Sequence, residues 1–222
     1  MGLLLEKISE AIIKGKIDYS SNYPPEMKGE PGAFELTGEA LSCGVGAEEI
    51  LLKAMIPAMG IVGELFRDKK LFVPQVLMSA KAMNSSMTHL KPYFNRGDIK
   101  SRGTFIIGTV EGDLHDIGKN LVCMMIEGSG WRVIDLGVDV SSESFINALK
   151  EYPGSVLGMS ALLTTTMETM AKSVKDVKAT FPNQCIIVGG APLTSEFACS
   201  IGADFYASNP QNALEYINSQ CR

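Results

Sequence analysis

The sequence holds only two histidines, His89 and His115, so any chemistry that needs an imidazole rests on one of them. Its five cysteines, Cys43, Cys123, Cys185, Cys199 and Cys221, are scattered, odd in number and without a C-x-x-C pair. That argues against a disulfide framework or a cysteine zinc site, and most of them are expected to be small buried apolar residues in a reducing compartment. Long apolar runs are missing as well. No stretch approaches the roughly 18 residues that span a bilayer, and the N-terminus reaches Glu6 and Lys7 too early for a secretory signal. The expectation is a cytoplasmic protein with no membrane partner. Basic excess is absent too: 20 Lys and Arg stand against 25 Asp and Glu, which leaves no footprint for a nucleic acid backbone. What is present is ordinary for a globular chain, 45% hydrophobic and 20% charged over 222 residues, with room for one or two cores.

The hydrophobic period changes along the chain. Leu4, Leu5, Ile8, Ala11 and Ile12 recur at helical spacing over 3–14. Pro24, Pro25, Gly29, Pro31 and Gly32 make 17–32 a loop. Further helices are expected over 33–42, over 47–67, and from Pro74 to about residue 91, where proline suits a first helical turn. Four helices with short connections predict a helical bundle over 1–93. The polar, glycine-bearing stretch 94–103 reads as an interdomain linker. From 104 to 222 strands alternate with helices: 105–110, 131–137, 155–161, 185–190 and 204–208 are the strands. That pattern predicts an α/β Rossmann-like (flavodoxin-like) domain, a five-stranded parallel sheet of order 2-1-3-4-5.

Three polar or glycine-bearing motifs each fall just after a predicted strand: Asp113-Leu114-His115-Asp116-Ile117-Gly118, Ser160-Ala161-Leu162, and Gly189-Gly190. In a parallel sheet the C-terminal strand ends lie along one edge, so the motifs converge on the crevice where doubly wound folds bind ligands. Asp113 sits two residues before His115, close enough to take the proton on one ring nitrogen and leave the other facing outward. A carboxylate behind an imidazole fixes its tautomer and raises its basicity as a metal ligand. One histidine with no further His or Cys at motif spacing does not hold a bare zinc or iron. It suits a metal that brings its own equatorial ligands, a haem or a corrinoid.

The motif Asp113-x-His115-x-x-Gly118, followed at family spacing by Ser160-x-Leu162 and Gly189-Gly190, resembles the cobalamin-binding signature of methionine synthase and of the small corrinoid proteins of anaerobic methyltransferase systems. The run Phe72 to Met83 resembles that family's cap helix. Nearly the whole chain is covered, with no catalytic domain left over, which is similar to a stand-alone methyl carrier. The resemblance implies a cobalamin or related corrinoid with His115 displacing the cofactor's lower base on cobalt, Asp113 hydrogen-bonding His115, and Thr166 extending the relay. It implies that Gly112, Leu114, Asp116, Ile117, Gly118 and Thr164 lie at the cofactor. Ser160, Leu162, Gly189, Gly190 and Ala191 would line the slot for the displaced nucleotide tail. Phe72, Val76, Ser79 and Met83 would cover the corrin's upper face from one side of the helix. It further implies that cobalt(I) accepts a methyl group from a donor-specific methyltransferase and that methyl-cobalt(III) passes it to a second one, with tetrahydrofolate or a thiol as acceptor. A reductive activase completes the partners, and a hinge in 94–103 lets the cap move.

Two other functions share parts of this pattern. The cobalamin subunit of an adenosylcobalamin mutase resembles the bare α/β domain, and the helices here argue against it. A cobalamin-dependent regulator resembles a form with a DNA-binding domain and a tryptophan among its helices, whereas the only tryptophan here is Trp131. Away from the motifs, His89 reads as a surface residue near a helix C-terminus, the methionines of the third and fourth helices as core filler, and Lys172, Lys175 and Lys178 as a solvated helix face. Glu111 and Asp116 read as loop polarity beside the site.

Overall fold

The structure, a computed structural model, describes residues 2–96, 98, 99 and 101–220. The chain divides into two compact units, the first ending at Ser101 and the second starting at Arg102, with only the short segment Gly128–Gly130 assigned out of order. Of the expected linker 94–103, Gly97 and Lys100 lie outside the described residues.

The first unit is helical. Its elements are α1 (Gly2–Lys14), α2 (Ala33–Ser42), α3 (Ala47–Ile50), α4 (Ile56–Arg67) and α5 (Val73–Asn95). A π-helical turn, Leu51–Met55, joins α3 to α4 without a break, so 47–67 is one continuous helical rod, as its spacing predicts. Proline at residue 57 has no N–H to give to the preceding turn, which accounts for the widened winding there. Ile8, Ile12, Ile50, Met55, Met59, Met83 and Leu90 are fully buried and form the packing between these helices. Burying a side chain of this size contributes about 1.5–3 kcal/mol.

Several buried polar groups of this unit find partners within it. The Thr37 and Ser86 hydroxyls both reach the Ala33 carbonyl oxygen, at 2.7 and 3.0 Å. Lys16 is fully buried, and its ammonium donates to the Ser21 carbonyl oxygen at 2.8 Å. His89 differs from the expected surface residue. It is half-buried, its ring lies 4.3 Å from that of Phe34, and its Nε2 has no hydrogen-bond partner among the described residues. The cause is helical phase, which turns residue 89 of α5 toward α2 rather than outward.

The second unit runs β1 (Thr104–Thr109), α6 (Ile117–Glu127), β2 (Arg132–Asp135), α7 (Ser142–Glu151), β3 (Val156–Ser160), α8 (Met167–Thr180), β4 (Ile186–Gly189), α9 (Ser195–Ser200), β5 (Phe205–Ala207) and α10 (Pro210–Gln220). The five strands are parallel in the order β2-β1-β3-β4-β5, as the alternation predicts. Strand β1 is buried along nearly its whole length, as a central parallel strand covered on both faces must be. Side chains alternate between two cores. Ile106, Phe145, Leu157, Val174 and Val188 fill one, and Phe105, Ile107, Ile126, Ile187 and Ile217 the other. Ser141 and Thr194 cap α7 and α9 through their hydroxyls, each accepting an N–H at 3.2 Å. Lys178 departs from the expected solvated face: its ammonium reaches the Asp204 carboxylate at 2.8 Å and the Gln184 carbonyl at 2.7 Å.

Candidate functional site

The strand order reverses between β1 and β3: the chain leaves β1 for β2 on one side and leaves β3 for β4 on the other. Loops leaving those two strands therefore diverge and open a crevice above their C-terminal ends. The loop after β1 carries the Asp113–Gly118 motif, and the loop after β3 carries Leu162 to Thr166.

Gly112 adopts φ +82°, a conformation that suits a residue without Cβ, and turns the chain at the end of β1. Beyond it the side chains part. Asp113 points inward and is fully buried, Leu114 is 72% exposed, and the His115 side chain is 51% exposed. The Asp113 carboxylate collects five donors from both loops. Its Oδ1 accepts the His115 Nδ1–H at 2.7 Å and the His115 N–H at 3.1 Å. Its Oδ2 accepts Leu162 N–H at 2.7 Å, Leu163 N–H at 3.3 Å and the Thr166 hydroxyl at 2.9 Å. Burial pushes the Asp113 carboxyl up, but the hydrogen bonds from Leu162, His115 and Thr166 outweigh it and hold the group well below the usual carboxylate range.

An ionised carboxylate only accepts, so Nδ1 of His115 is the protonated nitrogen and the lone pair of the neutral ring lies on Nε2. The backbone is pinned as well: the Thr109 hydroxyl, buried at the end of β1, donates to the His115 carbonyl oxygen at 2.9 Å. Around this half-exposed imidazole stand large apolar side chains open to solvent, Leu114 and Ile117 above 70% and Leu162 and Leu163 near 40%. Exposed apolar side chains on the loops beside an outward-facing imidazole form a collar that suits a flat metal cofactor taking one nitrogen ligand. Among the described residues no group of three or more His, Cys, Asp or Glu is placed to hold a metal ion, so such a metal would need equatorial ligands of its own.

Beside the collar a cavity of about 400 Å³ enters the second unit between the sheet and α6 and α10. Phe105, Ile107, Leu121 and Ile187 line it and are buried, whereas Ser160, Ser208 and Asn209, with Ala191, line it and are partly or fully open. The cavity is thus apolar in depth and polar at its mouth. Gly118, Gly189 and Gly190 also line it, and Leu162 does not, its N–H holding Asp113 instead. At Gly190, φ +141°, a Cβ would fall 1.7 Å from the Ala161 carbonyl oxygen, so only glycine lets the ends of β3 and β4 approach this closely.

The remaining expected positions separate. Thr164 is exposed at the start of a 3₁₀ turn, Thr164–Thr166, whose last residue is the buried relay hydroxyl. Asp116 is exposed and accepts from the Asn120 side chain at 3.0 Å, and Glu111 is exposed. Of the four residues expected over the corrin, only Phe72, just before α5, is exposed, at 65%. Val76, Ser79 and Met83 are at most 1% exposed, and the Ser79 hydroxyl donates to the Ile13 carbonyl oxygen at 3.0 Å. Their expected place is over the corrin's upper face, and three of the four are buried here: the spacing that aligns them on one side of the helix also suits packing against neighbouring helices.

Sequence reasoning also missed residues. Thr109 and Asp139 bond the His115 loop directly, and Asp135 bonds Lys119 in the first turns of the helix that follows it; the signal for two of these residues was present. Asp135-x-Gly137-x-Asp139 is a fourth polar, glycine-bearing run just after a strand.

This layout is that of a domain built for a B12-type cofactor, and residues 103–215 match the family described as B12 binding domain. Residues 30–91 match a second family model with the same description. Trimethylamine corrinoid protein 1 of Methanosarcina acetivorans is 36% identical over 214 residues, 95% of this chain and 96% of that one. Dimethylamine corrinoid protein 1 of the same organism is 36% identical over 95% of this chain and 94% of its own. Among solved structures, a chain of the methanol:cobalamin methyltransferase complex MtaBC from Methanosarcina barkeri superposes with a TM-score of 0.78 at 27% identity, covering 98% of this chain and 79% of that one. The chain belongs to the family of corrinoid proteins with B12 binding domains.

Proposed function

We propose that the chain is a methyl-carrying corrinoid protein in which His115 is the axial ligand to cobalt and a partner methyltransferase supplies the methyl group. The carrying observation is the fully buried Asp113 at 2.7 Å from His115 Nδ1, which leaves Nε2 as the ligating nitrogen of a half-exposed ring. Relatives named for trimethylamine and dimethylamine support a methylated amine as the donor, and the MtaBC likeness supports a separate methyltransferase as the partner.

The residues fit the cofactor. Leu114, Ile117, Leu162 and Leu163 would carry the flat ring, and the cavity mouth at Ser160, Gly189 and Gly190 would admit the nucleotide tail. When bound, a corrinoid supplies a cobalt centre that takes up and gives up a methyl group. The chain's own part is to hold the imidazole. Asp113 orients it and offsets positive charge that gathers on the ring, and Thr166 holds Asp113 from behind. Residues 94–103 would serve as the hinge that exposes the cofactor to its partners.

The test is spectroscopic. Loaded with hydroxocobalamin, the protein should show histidine-ligated cobalt(III), and His115→Ala should still bind the corrinoid but shift the visible spectrum to the form without histidine. An unchanged spectrum in His115→Ala overturns the ligand assignment. Capture of a methyltransferase that methylates the reduced, loaded protein from a methylated amine supports the carrier role, and adenosyl-dependent mutase activity with a barrel-type partner would overturn it.

A further inference from the structure

We infer that the loop after β2 is the frame that sets the angle and depth of the His115 ligand, with Asp139 and Asp135 as positioning residues at its two ends. The inference rests on the reading of His115 as the axial ligand.

The two carboxylates stand on either side of the ligand segment. Asp139 Oδ1 accepts the Gly112 N–H at 2.7 Å, and the Asp139 N–H donates to the Asp113 carbonyl oxygen at 3.1 Å. This reciprocal pair ties the residue that orients the imidazole to a second loop. At the other end, Asp135 Oδ2 accepts the ammonium of Lys119, which is 2% exposed and immediately follows Gly118, and Oδ1 accepts the Gly137 N–H at 2.9 Å. Residues 112 and 119 are thus held by carboxylates at the end of β2 and in the loop that follows it, and His115 lies between them.

The base of that loop is fixed in turn. Thr109 N–H reaches the Gly137 carbonyl at 3.0 Å and Val140 N–H reaches the Thr109 carbonyl at 2.9 Å, so β1 and the frame move together. Asp139 itself has φ +56°, an unusual conformation for a residue with a side chain, and the two bonds it makes with Gly112 and Asp113 account for keeping it there. Neither carboxylate bonds His115 directly. Their effect is on where the histidine sits, and a ligand displaced by a fraction of an ångström loses bond strength to a metal in a fixed ring.

The experiment uses the full chain carrying nitrogen-15 histidine, loaded with hydroxocobalamin and reduced to cobalt(II). Electron paramagnetic resonance then reads a doublet splitting where histidine is the axial ligand and a triplet where the tail base is. The unsubstituted protein should give the doublet. Asp139→Asn keeps an oxygen acceptor and tolerates positive φ, so it should retain it. Asp139→Gly removes the acceptor while relieving the backbone, and should lower the ratio of histidine-bound to histidine-free cobalt at least about tenfold, equivalent to about 1.4 kcal/mol. Asp135→Asn should move the ratio in the same direction, which keeps the test open if Asp139→Gly does not fold. To separate positioning from general damage, Asp139→Gly is added to His115→Gly with free imidazole supplied. Imidazole affinity should stay within about twofold, because a free ligand needs no frame. A doublet of full strength in both Asp139→Gly and Asp135→Asn, or a loss of imidazole affinity as large as the loss of histidine ligation, overturns the inference. A triplet in the unsubstituted protein defeats the reading of His115 itself, and this inference with it.

Discussion

At Asp113, burial and hydrogen bonding act in opposite directions, and the donors prevail. Because its folded pKa is depressed below the ordinary 3.8, the carboxylate adds stability above that range and loses it as pH falls through and below it. The stability difference between the wild type and Asp113→Asn, measured by urea unfolding, should therefore be widest near neutrality and narrow below about pH 4. Thr166 supplies one of the donors from a nearly buried position. Thr166→Val should cost about 1–3 kcal/mol by leaving the carboxylate one partner short, and Thr166→Ser should restore most of it. The Asp113 and His115 positions are legible in the sequence, since a motif at a strand end names them, whereas Thr166 follows only from the family resemblance. The distances among the three are not legible, because residues 113 and 166 meet only when β1 and β3 pair.

Among the elements, α6 shows how one helix serves both core and site. Its first turn carries Ile117 and Gly118 at the crevice, while Cys123 on its inner face is buried. Burial, with Asp135 nearby, pushes the Cys123 thiol up to about 12. Contrary to the expectation that most cysteines are buried, Cys43 and Cys199 lie on exposed surface, so native protein treated with a maleimide at pH 7 should label them and leave Cys123 unmodified until it unfolds. The junction of β4 with α9 is as demanding. Gly190→Ala places a methyl where the Ala161 carbonyl stands, so it should unfold the β3–β4 edge or abolish corrinoid binding, as circular dichroism and cobalamin titration would report. Helix boundaries are readable from proline, glycine and apolar spacing. The inward face of α5 is not, because period alone marks one apolar side without saying whether a neighbouring helix or a ligand covers it.

For the whole molecule, cofactor binding and folding are linked by mass action. Cobalamin at a hundredfold excess over its dissociation constant should stabilise the protein by about 2.7 kcal/mol, seen as a raised melting temperature, and His115→Ala should shrink that shift. The sequence by itself determined the change from helices to alternating strands and helices, the five-stranded order, and the histidine at a strand end. Each is written in local period, turn residues and motif spacing, which act over a few residues. Only the tertiary structure decided that Val76, Ser79 and Met83 are buried, that His89 tucks against Phe34, and that Asp139 bonds Gly112 and Asp135 bonds Lys119 on either side of His115. Those outcomes depend on residues far apart in the chain meeting across strands and between helices, and spacing along the chain carries no record of such meetings.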